Sequence, residues 1–311
     1  MASDPMFAGP QIATAPDEEP SDIGFGASFA LTPAVGPARV SYDVIATARR
    51  ASAAERRRVA LLAHTIETEV IPRLLLARGA VAQADAEAPA LDAEDVERLV
   101  ALTMRNDLAG AVAQLGVLRA RGIPLERLYL DLLAPAARRL GVMWAEDLCD
   151  FTTVTIGLCC LQQLVMEHSA AFRPRSAPRD LDRRVLLAPV PGEQHSFGLL
   201  LVGEFFRRQG WDVHSATGAN AAEMVALARR QWFAAVGISL GCEGRLDSLA
   251  SVIRDMRRTA RNPRMGVLVG GRVFTDRPEL VALVGADATA CDGQQAVLKA
   301  ETMLALLGRE E

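Results

Sequence analysis

At 311 residues, half of them hydrophobic, the chain is long enough for two domains with sizeable cores. A net charge of −4 removes any global pull toward nucleic acid, and no apolar run approaches the roughly 18 residues needed to span a membrane. Five cysteines without a Cys-x-x-Cys spacing argue against a zinc or redox centre, and their odd number with no signal peptide points to reduced thiols in a cytoplasm.

Residues 1–40 are rich in Ala, Gly, Pro, Ser and Asp, with an acidic patch at Asp17-Glu18-Glu19. No helical or strand period survives the prolines, so a flexible tail is expected, able to order on a partner. From 41 to 172 the pattern is helical. Asp43 to Ala60 carries Arg49, Arg50, Arg56, Arg57 and Arg58, which reads as a solvated helix face more than a phosphate contact. A helix follows through Leu61, Leu62, Ile66, Val70 and Ile71, then a polar connection from Ala82 to Ala90. Two more helices are predicted over 92–103 and 107–121. Pro124 opens the next, with Leu125, Leu128, Leu132, Leu133, Ala136 and Leu140 on one face. Pro135 should bend it and Gly141 should end it, leaving Val142-Met143-Trp144 in a connection. Asp150 then caps a helix over 151–171. The whole reads as a helical bundle.

Residues 173–182, with Pro174, Pro178 and several arginines, look like a linker, and the stretch from Phe172 to Asp182 like a movable joint. Beyond it, over 183–308, the period switches to strand–helix alternation. Strands are predicted near 184–190, 211–216, 234–240, 265–270 and 287–290, and helices near 196–208, 220–231, 244–259, 276–284 and 294–308. The fold class is therefore all-α plus α/β: a helical bundle followed by a flavodoxin-like, doubly wound, parallel five-stranded sheet.

Three strand ends in this second domain carry the residues of interest. Val185-Leu186-Leu187 run into Pro189, Pro191 and Gly192, and the loop presents Glu193 and His195 before Ser196, a candidate helix N-cap. Forty residues separate Gly198 from Ser239, at the end of the second apolar run. After Gly241, a further 28 lead to Gly270-Gly271 at the end of the third. Such positions converge on one edge of an open α/β sheet, where ligands bind. A neutral imidazole is a competent metal ligand, and a neighbouring carboxylate fixes its tautomer. His64, His168 and His214 lack such companions and read as structural.

Glu193-x-His195-x-x-Gly198, Ser239 and Gly270-Gly271 resemble the cobalamin-binding signature Asp-x-His-x-x-Gly, Ser-x-Leu, Gly-Gly. Glu193 replaces Asp, and Leu240 follows Ser239 directly. The stretch Ile123 to Leu164 is similar to the four-helix cap that precedes cobalamin domains. The layout with Pro191-Gly192-Glu193-Gln194-His195-Ser196-Phe197-Gly198 resembles the AerR/PpaA group of cobalamin-binding antirepressors. That resemblance implies His195 as the lower cobalt ligand and Glu193 behind it. It also implies cofactor contacts at Gln194, Ser196, Gly198, Ser239, Leu240, Gly270 and Gly271, and Trp144 over the upper corrin face. In CarH-type photoreceptors a Trp is followed, after nine residues, by Glu-His; here Val154-Thr155 stand there. This favours hydroxo- or aquocobalamin over adenosylcobalamin. The expected function is a non-enzymatic, light- or corrinoid-responsive regulator in the cytoplasm. It would act on a CrtJ/PpsR-type transcriptional repressor of photosynthesis genes, without strong direct DNA binding. A corrinoid methyl carrier is the alternative. Length excludes a mutase with its own substrate barrel, and residues 1–40 are too short and Pro-rich for a winged DNA-binding domain.

Overall fold

A computed structural model describes residues 91–173, 182–193 and 195–307. The expected tail, the helices before residue 91, most of the linker and Gln194 lie outside the described residues.

Local capping chemistry sets the bundle helices. Helix α1 (Ala93–Met104) starts in a capping box, with Asp92 accepting from Asp95 N at 2.8 Å while Asp95 reaches back to Asp92 N. Helix α2 (Leu108–Ala120) is capped by Asp107 on Gly110 N at 2.8 Å, after Asn106 turns the chain at φ 57°. The next helix is continuous but uneven. One turn at Leu125–Arg127 passes into a π-helix at Leu128–Leu133 and then into α3 (Ala134–Ala145). Ala134 N reaches back five residues to Tyr129 O. Pro135 follows directly on this wider π turn, which makes room for a ring that has no N–H to donate.

Gly141 does not end α3. The helix runs on to Ala145 and stops in a Schellman motif in which Asp147, at φ 56°, occupies the left-handed position. Asp147 N bonds Trp144 O at 3.1 Å and Leu148 N bonds Met143 O at 2.8 Å. Trp144 thus sits in the last helical turn and not in a connection. Helix α4 (Phe151–Phe172) is capped by Asp150 on Thr153 N at 2.7 Å.

The second region is a five-stranded parallel sheet: β1 (Arg184–Pro189), β2 (Asp212–Ser215), β3 (Ala235–Ser239), β4 (Gly266–Gly270) and β5 (Ala288–Ala290), in the order β2-β1-β3-β4-β5. Strand order reverses between β1 and β3, which makes the loops after these two strands the switch point of the fold. Between the strands run α5 (Phe197–Arg208), α6 (Ala221–Arg230), a 3₁₀ turn (Glu243–Arg245) leading into α7 (Leu246–Thr259), α8 (Arg272–Asp276), α9 (Leu280–Leu283) and α10 (Gly293–Leu307). The helix expected over 276–284 is shorter, α9 alone, and a separate short helix, α8, precedes it. Arg277, forced by Pro278 out of the helical region to φ −138° and ψ 75°, separates them.

Alternate strand residues go to opposite faces. Leu186, Ala188, Val236, Ile238, Val267 and Val269 pack in one layer with Met224 of α6 and Ile253 and Met256 of α7. Val185, Leu187, Ala235 and Leu268 pack with α5 and α10, and this second layer is continuous with the core of the bundle. The join is aromatic. Tyr129 stacks on Phe172 at 4.5 Å between ring centroids, and Phe172 meets Phe205 edge-on at 5.1 Å. Beside it, the buried carboxylate of Glu204 accepts from Ser169 Oγ at 2.6 Å, Arg207 Nη1 at 3.0 Å and Arg173 Nη2 at 3.1 Å. Phe172, expected at the start of a movable joint, is instead fully buried in the shared core.

Candidate functional site

The sheet brings two of the predicted residues, Ser239 and Gly270, into one row. Pro189, Ser239, Gly270 and Ala290 are successive register partners across β1, β3, β4 and β5, at the carboxyl edge. The loops leave this row already bonded to it: Val190 N donates to Ser239 O at 2.9 Å and Leu240 N to Gly270 O at 2.9 Å. Strand alternation places Ser239 on the face covered by α5 and α10. Its Oγ is buried and has no hydrogen-bond partner among the described residues. An orphaned buried hydroxyl costs about 1–3 kcal/mol, so this one marks a place for a polar group the protein does not supply.

Above the row, Glu193 and His195 form a pair. His195 Nδ1 donates to Glu193 Oε1, and His195 N also reaches that oxygen at 3.3 Å. The other carboxylate oxygen accepts from Gly241 N, on the loop after β3, at 3.1 Å. The Glu193 side chain is 6% exposed and the His195 ring 78% exposed. Burial raises the Glu193 carboxyl, but the hydrogen bonds from His195 and Gly241 outweigh it and hold the group below the usual carboxylate range. Glu193 is therefore ionised at neutral pH. A carboxylate can only accept, which fixes the hydrogen of a neutral imidazole on Nδ1 and leaves a lone pair on Nε2. Among the described residues Nε2 has no partner, and it belongs to an exposed ring.

The extra methylene of Glu193, relative to the Asp of the signature, is accommodated: the longer side chain spans from its own loop to Gly241. Gly241 is a residue the sequence reading missed. A Cβ there would stand 2.9 Å from Glu193 Oε2 and 3.2 Å from His195 Nδ1, so the pair packs directly against the Gly241 backbone. Its only sequence signal was a glycine two positions past Ser239, because its contribution is a backbone N–H.

The other candidates divide. Ser196 stands at the N-cap of α5 but its side chain caps nothing; its carbonyl accepts from Leu200 N at 3.0 Å. A Cβ on Gly198 would meet no atom within 4 Å, so the first turn of α5 borders open space. Gly271, at φ 101°, is needed for a protein reason: a Cβ would collide with the Leu240 carbonyl. Leu240 itself is fully buried and contributes through its backbone. Trp144 is 48% exposed at the end of α3.

Residues 183–300 match the B12 binding domain family. The chain is also 30% identical over 174 residues to a Rhodobacter capsulatus protein, an uncharacterized 20.5 kDa protein in the bchF-crtJ intergenic region; the match covers 56% of this chain and 90% of that one. The chain belongs to the B12-binding family. Among solved structures, its fold is that of the Methanosarcina barkeri monomethylamine corrinoid protein, at a TM-score of 0.55 and 13% identity, over 68% of this chain and 98% of the other.

The donor set suits this B12-binding family. Among the described residues no group of three or more His, Cys, Asp or Glu is placed to hold a metal ion. One imidazole with one carboxylate behind it cannot cage a bare cation; it can complete the coordination of a metal whose other ligands come from a macrocycle. The orphaned Ser239 hydroxyl and the space beside Gly198 lie along the same sheet edge, where a bulky cofactor tail needs a polar contact and room. The residues present fit cobalamin.

Proposed function

We propose that this cobalamin-binding protein is a non-enzymatic regulator that relieves repression by a CrtJ/PpsR-type repressor of photosynthesis genes, in the cytoplasm. His195 Nε2 is the lower cobalt ligand and Glu193 its orienting acceptor. Ser239 meets the displaced base of the cofactor, with Gly198 and Gly270 leaving room for the tail. When bound, cobalamin supplies a cobalt centre with an exchangeable upper ligand. The protein's part is to hold the lower side and to shape the upper one.

The observation that carries the cofactor reading is the Glu193–His195 pair, anchored to Gly241 and exposing Nε2 at the switch point. The regulatory reading is supported by the relative from the bchF-crtJ region. Trp144, Leu148 and Phe151, all exposed around the turn between α3 and α4, are the side chains offered to the upper face. At the positions where adenosyl-binding caps carry Glu-His, Val154 is buried and the Thr155 hydroxyl donates to Phe151 O at 2.8 Å within its own helix. Neither position presents a carboxylate or an imidazole to an adenosyl group, which supports hydroxo- or aquocobalamin as the bound form.

The fold of the monomethylamine corrinoid protein supports a second reading, a corrinoid methyl carrier serving separate methyltransferases. One experiment separates them. Protein loaded with hydroxocobalamin is followed by absorption before and after illumination, alongside operator binding by a CrtJ/PpsR-type repressor. Loss of operator binding with loaded protein supports the regulator. Methyl transfer from a methylated form to a thiol acceptor, with no effect on the repressor, supports the carrier.

A further inference from the structure

The turn leading into His195 is held from the neighbouring loop by a residue outside the cobalamin motif. Val190 to Glu193 form a β-turn closed by Glu193 N donating to Val190 O at 2.9 Å, with Gly192 at φ 81°. Proline first and a positive-φ glycine second are the marks of a type II turn. Types I and II differ by a flip of the central peptide, which here carries the Pro191 carbonyl. Proline suits the first central position of both types, and glycine tolerates both signs of φ. The dipeptide Pro191-Gly192 thus favours type II without forbidding type I.

Arg245 closes off the alternative from outside. It ends the 3₁₀ turn after β3, and its Nη1 donates to Pro191 O at 2.9 Å. The guanidinium lies so close over Gly192 that a Cβ there would collide with Nη1 and stand 3.2 Å from Cζ. In the flipped turn the Pro191 carbonyl would leave the guanidinium and the Gly192 N–H would take its place, setting donor against donor. The same loop supplies Gly241 N to Glu193 Oε2. Two anchors from the loop after β3 therefore hold the loop after β1, one at the turn and one at the carboxylate.

We propose that Arg245 is a positioning residue that selects the type II turn at Pro191-Gly192 and so aims Glu193 at His195. The proposal rests on the reading of His195 as the cobalt ligand. Glu193 is the last residue of the turn, and its two oxygens must meet His195 Nδ1 and Gly241 N at once. Hydrogen bonds tolerate only a few tenths of an ångström before they weaken, about 2.7–3.2 Å being the useful range. A turn free to exchange between two forms cannot hold both.

The test uses the full chain with Arg245→Ala, Arg245→Lys and His195→Ala. In the cobalamin-free protein, NMR relaxation dispersion should show exchange at Gly192 and Glu193 in Arg245→Ala and a quiet loop in the wild type. In the loaded protein, Arg245→Ala should release cobalamin roughly tenfold faster, the low end for loss of an outer-sphere partner, with an unchanged thermal midpoint. Arg245→Lys should restore most of both, because an ammonium can donate to the same carbonyl. A quiet loop and wild-type release in Arg245→Ala would overturn the proposal, and so would a lysine variant no better than alanine. If His195→Ala keeps the wild-type cobalamin spectrum, the ligand reading falls; exchange in the cobalamin-free protein still decides whether Arg245 sets the turn.

Discussion

Glu193 Oε2 accepts from Gly241 N at 3.1 Å while Oε1 takes the ring of His195, so one carboxylate joins the loops after β1 and β3. Removing it should cost more than one hydrogen bond. In Glu193→Ala, His195 loses the acceptor that fixes its tautomer, and cobalamin affinity should fall about 10–100-fold, as for loss of an orienting partner behind a metal ligand. Glu193→Asp, one methylene shorter, should keep the ring contact or the Gly241 contact but not both, and should fall between. A cobalamin titration followed by absorption checks this. Equal affinities for all three proteins would remove the carboxylate from the site.

Ser239 gives a prediction with a change of sign. Its buried Oγ has no protein partner among the described residues, and its strand neighbour across the row is Gly270. Ser239→Ala removes an unsatisfied hydroxyl, so the cobalamin-free protein should gain up to about 1 kcal/mol. The same change should weaken cobalamin binding if that hydroxyl meets the cofactor. Thermal unfolding with and without cofactor measures both. A loss of stability in the free protein would mean that the hydroxyl is already satisfied.

The pH response of the loop follows from the lowered Glu193 carboxyl. Its folded-state value lies below the unfolded one, so its contribution to stability is full above the ordinary carboxylate range. That contribution is lost as pH falls through the lowered value. The amide shift of Gly241 in the cobalamin-free protein reports the hydrogen bond to Oε2. It should hold steady through mild acid and move only below the ordinary carboxylate range. A midpoint at or above the ordinary range would mean that burial, and not the hydrogen bonds, controls this group.

The seam between bundle and sheet should be sensitive to Glu204. Its buried carboxylate accepts from Ser169, Arg173 and Arg207. Glu204→Ala leaves those donors facing a cavity, but both arginines are partly exposed and can turn to water. A loss of roughly 1–3 kcal/mol is expected, against close to zero for Arg258→Ala, which breaks the exposed pair with Asp255. Thermal melts of the two variants make the comparison.

What the sequence made legible was local. β1, β3 and β4 are short apolar runs closed by Pro, Ser or Gly, while β2 and β5 are marked mainly by their place in the strand–helix alternation; all five emerged within a residue or two, and His195 was found because a loop of prolines and a glycine isolates it. Gly141 misled, because the exposed face of α3 tolerates a glycine at about 1 kcal/mol, while Asp147 supplied the left-handed residue that ends the helix. Gly241 was silent because it acts through its backbone. The Tyr129–Phe172–Phe205 stack was silent because periodicity gives the buried face of each helix, not the partner that covers it.

The output of the molecule yields the last prediction. Specific binding to duplex DNA rests heavily on cations free to displace counterions at phosphates. Here Arg183, Arg184, Arg257 and Arg277 are paired with Glu301, Asp212, Asp287 and Glu243 at 3.1, 2.7, 2.8 and 2.8 Å, and Arg208 with Glu126. The arginine-rich stretch from Arg49 to Arg58 lies outside the described residues. With a net charge of −4, the isolated protein should bind DNA weakly, with an affinity that falls steeply with salt. On the proposed regulatory reading the signal leaves through a protein contact, and cobalamin can alter that contact only by binding one conformation better than another. His195 lies on the sheet loop and Trp144 on the bundle, and the two regions share one core through Phe172 and Phe205. A cofactor held by the first and covered by the second would be sensitive to their relative placement. Loaded wild-type protein should therefore weaken operator binding by a CrtJ/PpsR-type repressor, and His195→Ala should not. Trp144→Ala should bind cobalamin with altered upper-ligand preference and transmit the effect poorly. Electrophoretic mobility shifts with repressor, operator and each variant, at physiological salt, measure the outcome. Tight sequence-specific DNA binding by the isolated protein, or equal antagonism by His195→Ala, would defeat the scheme.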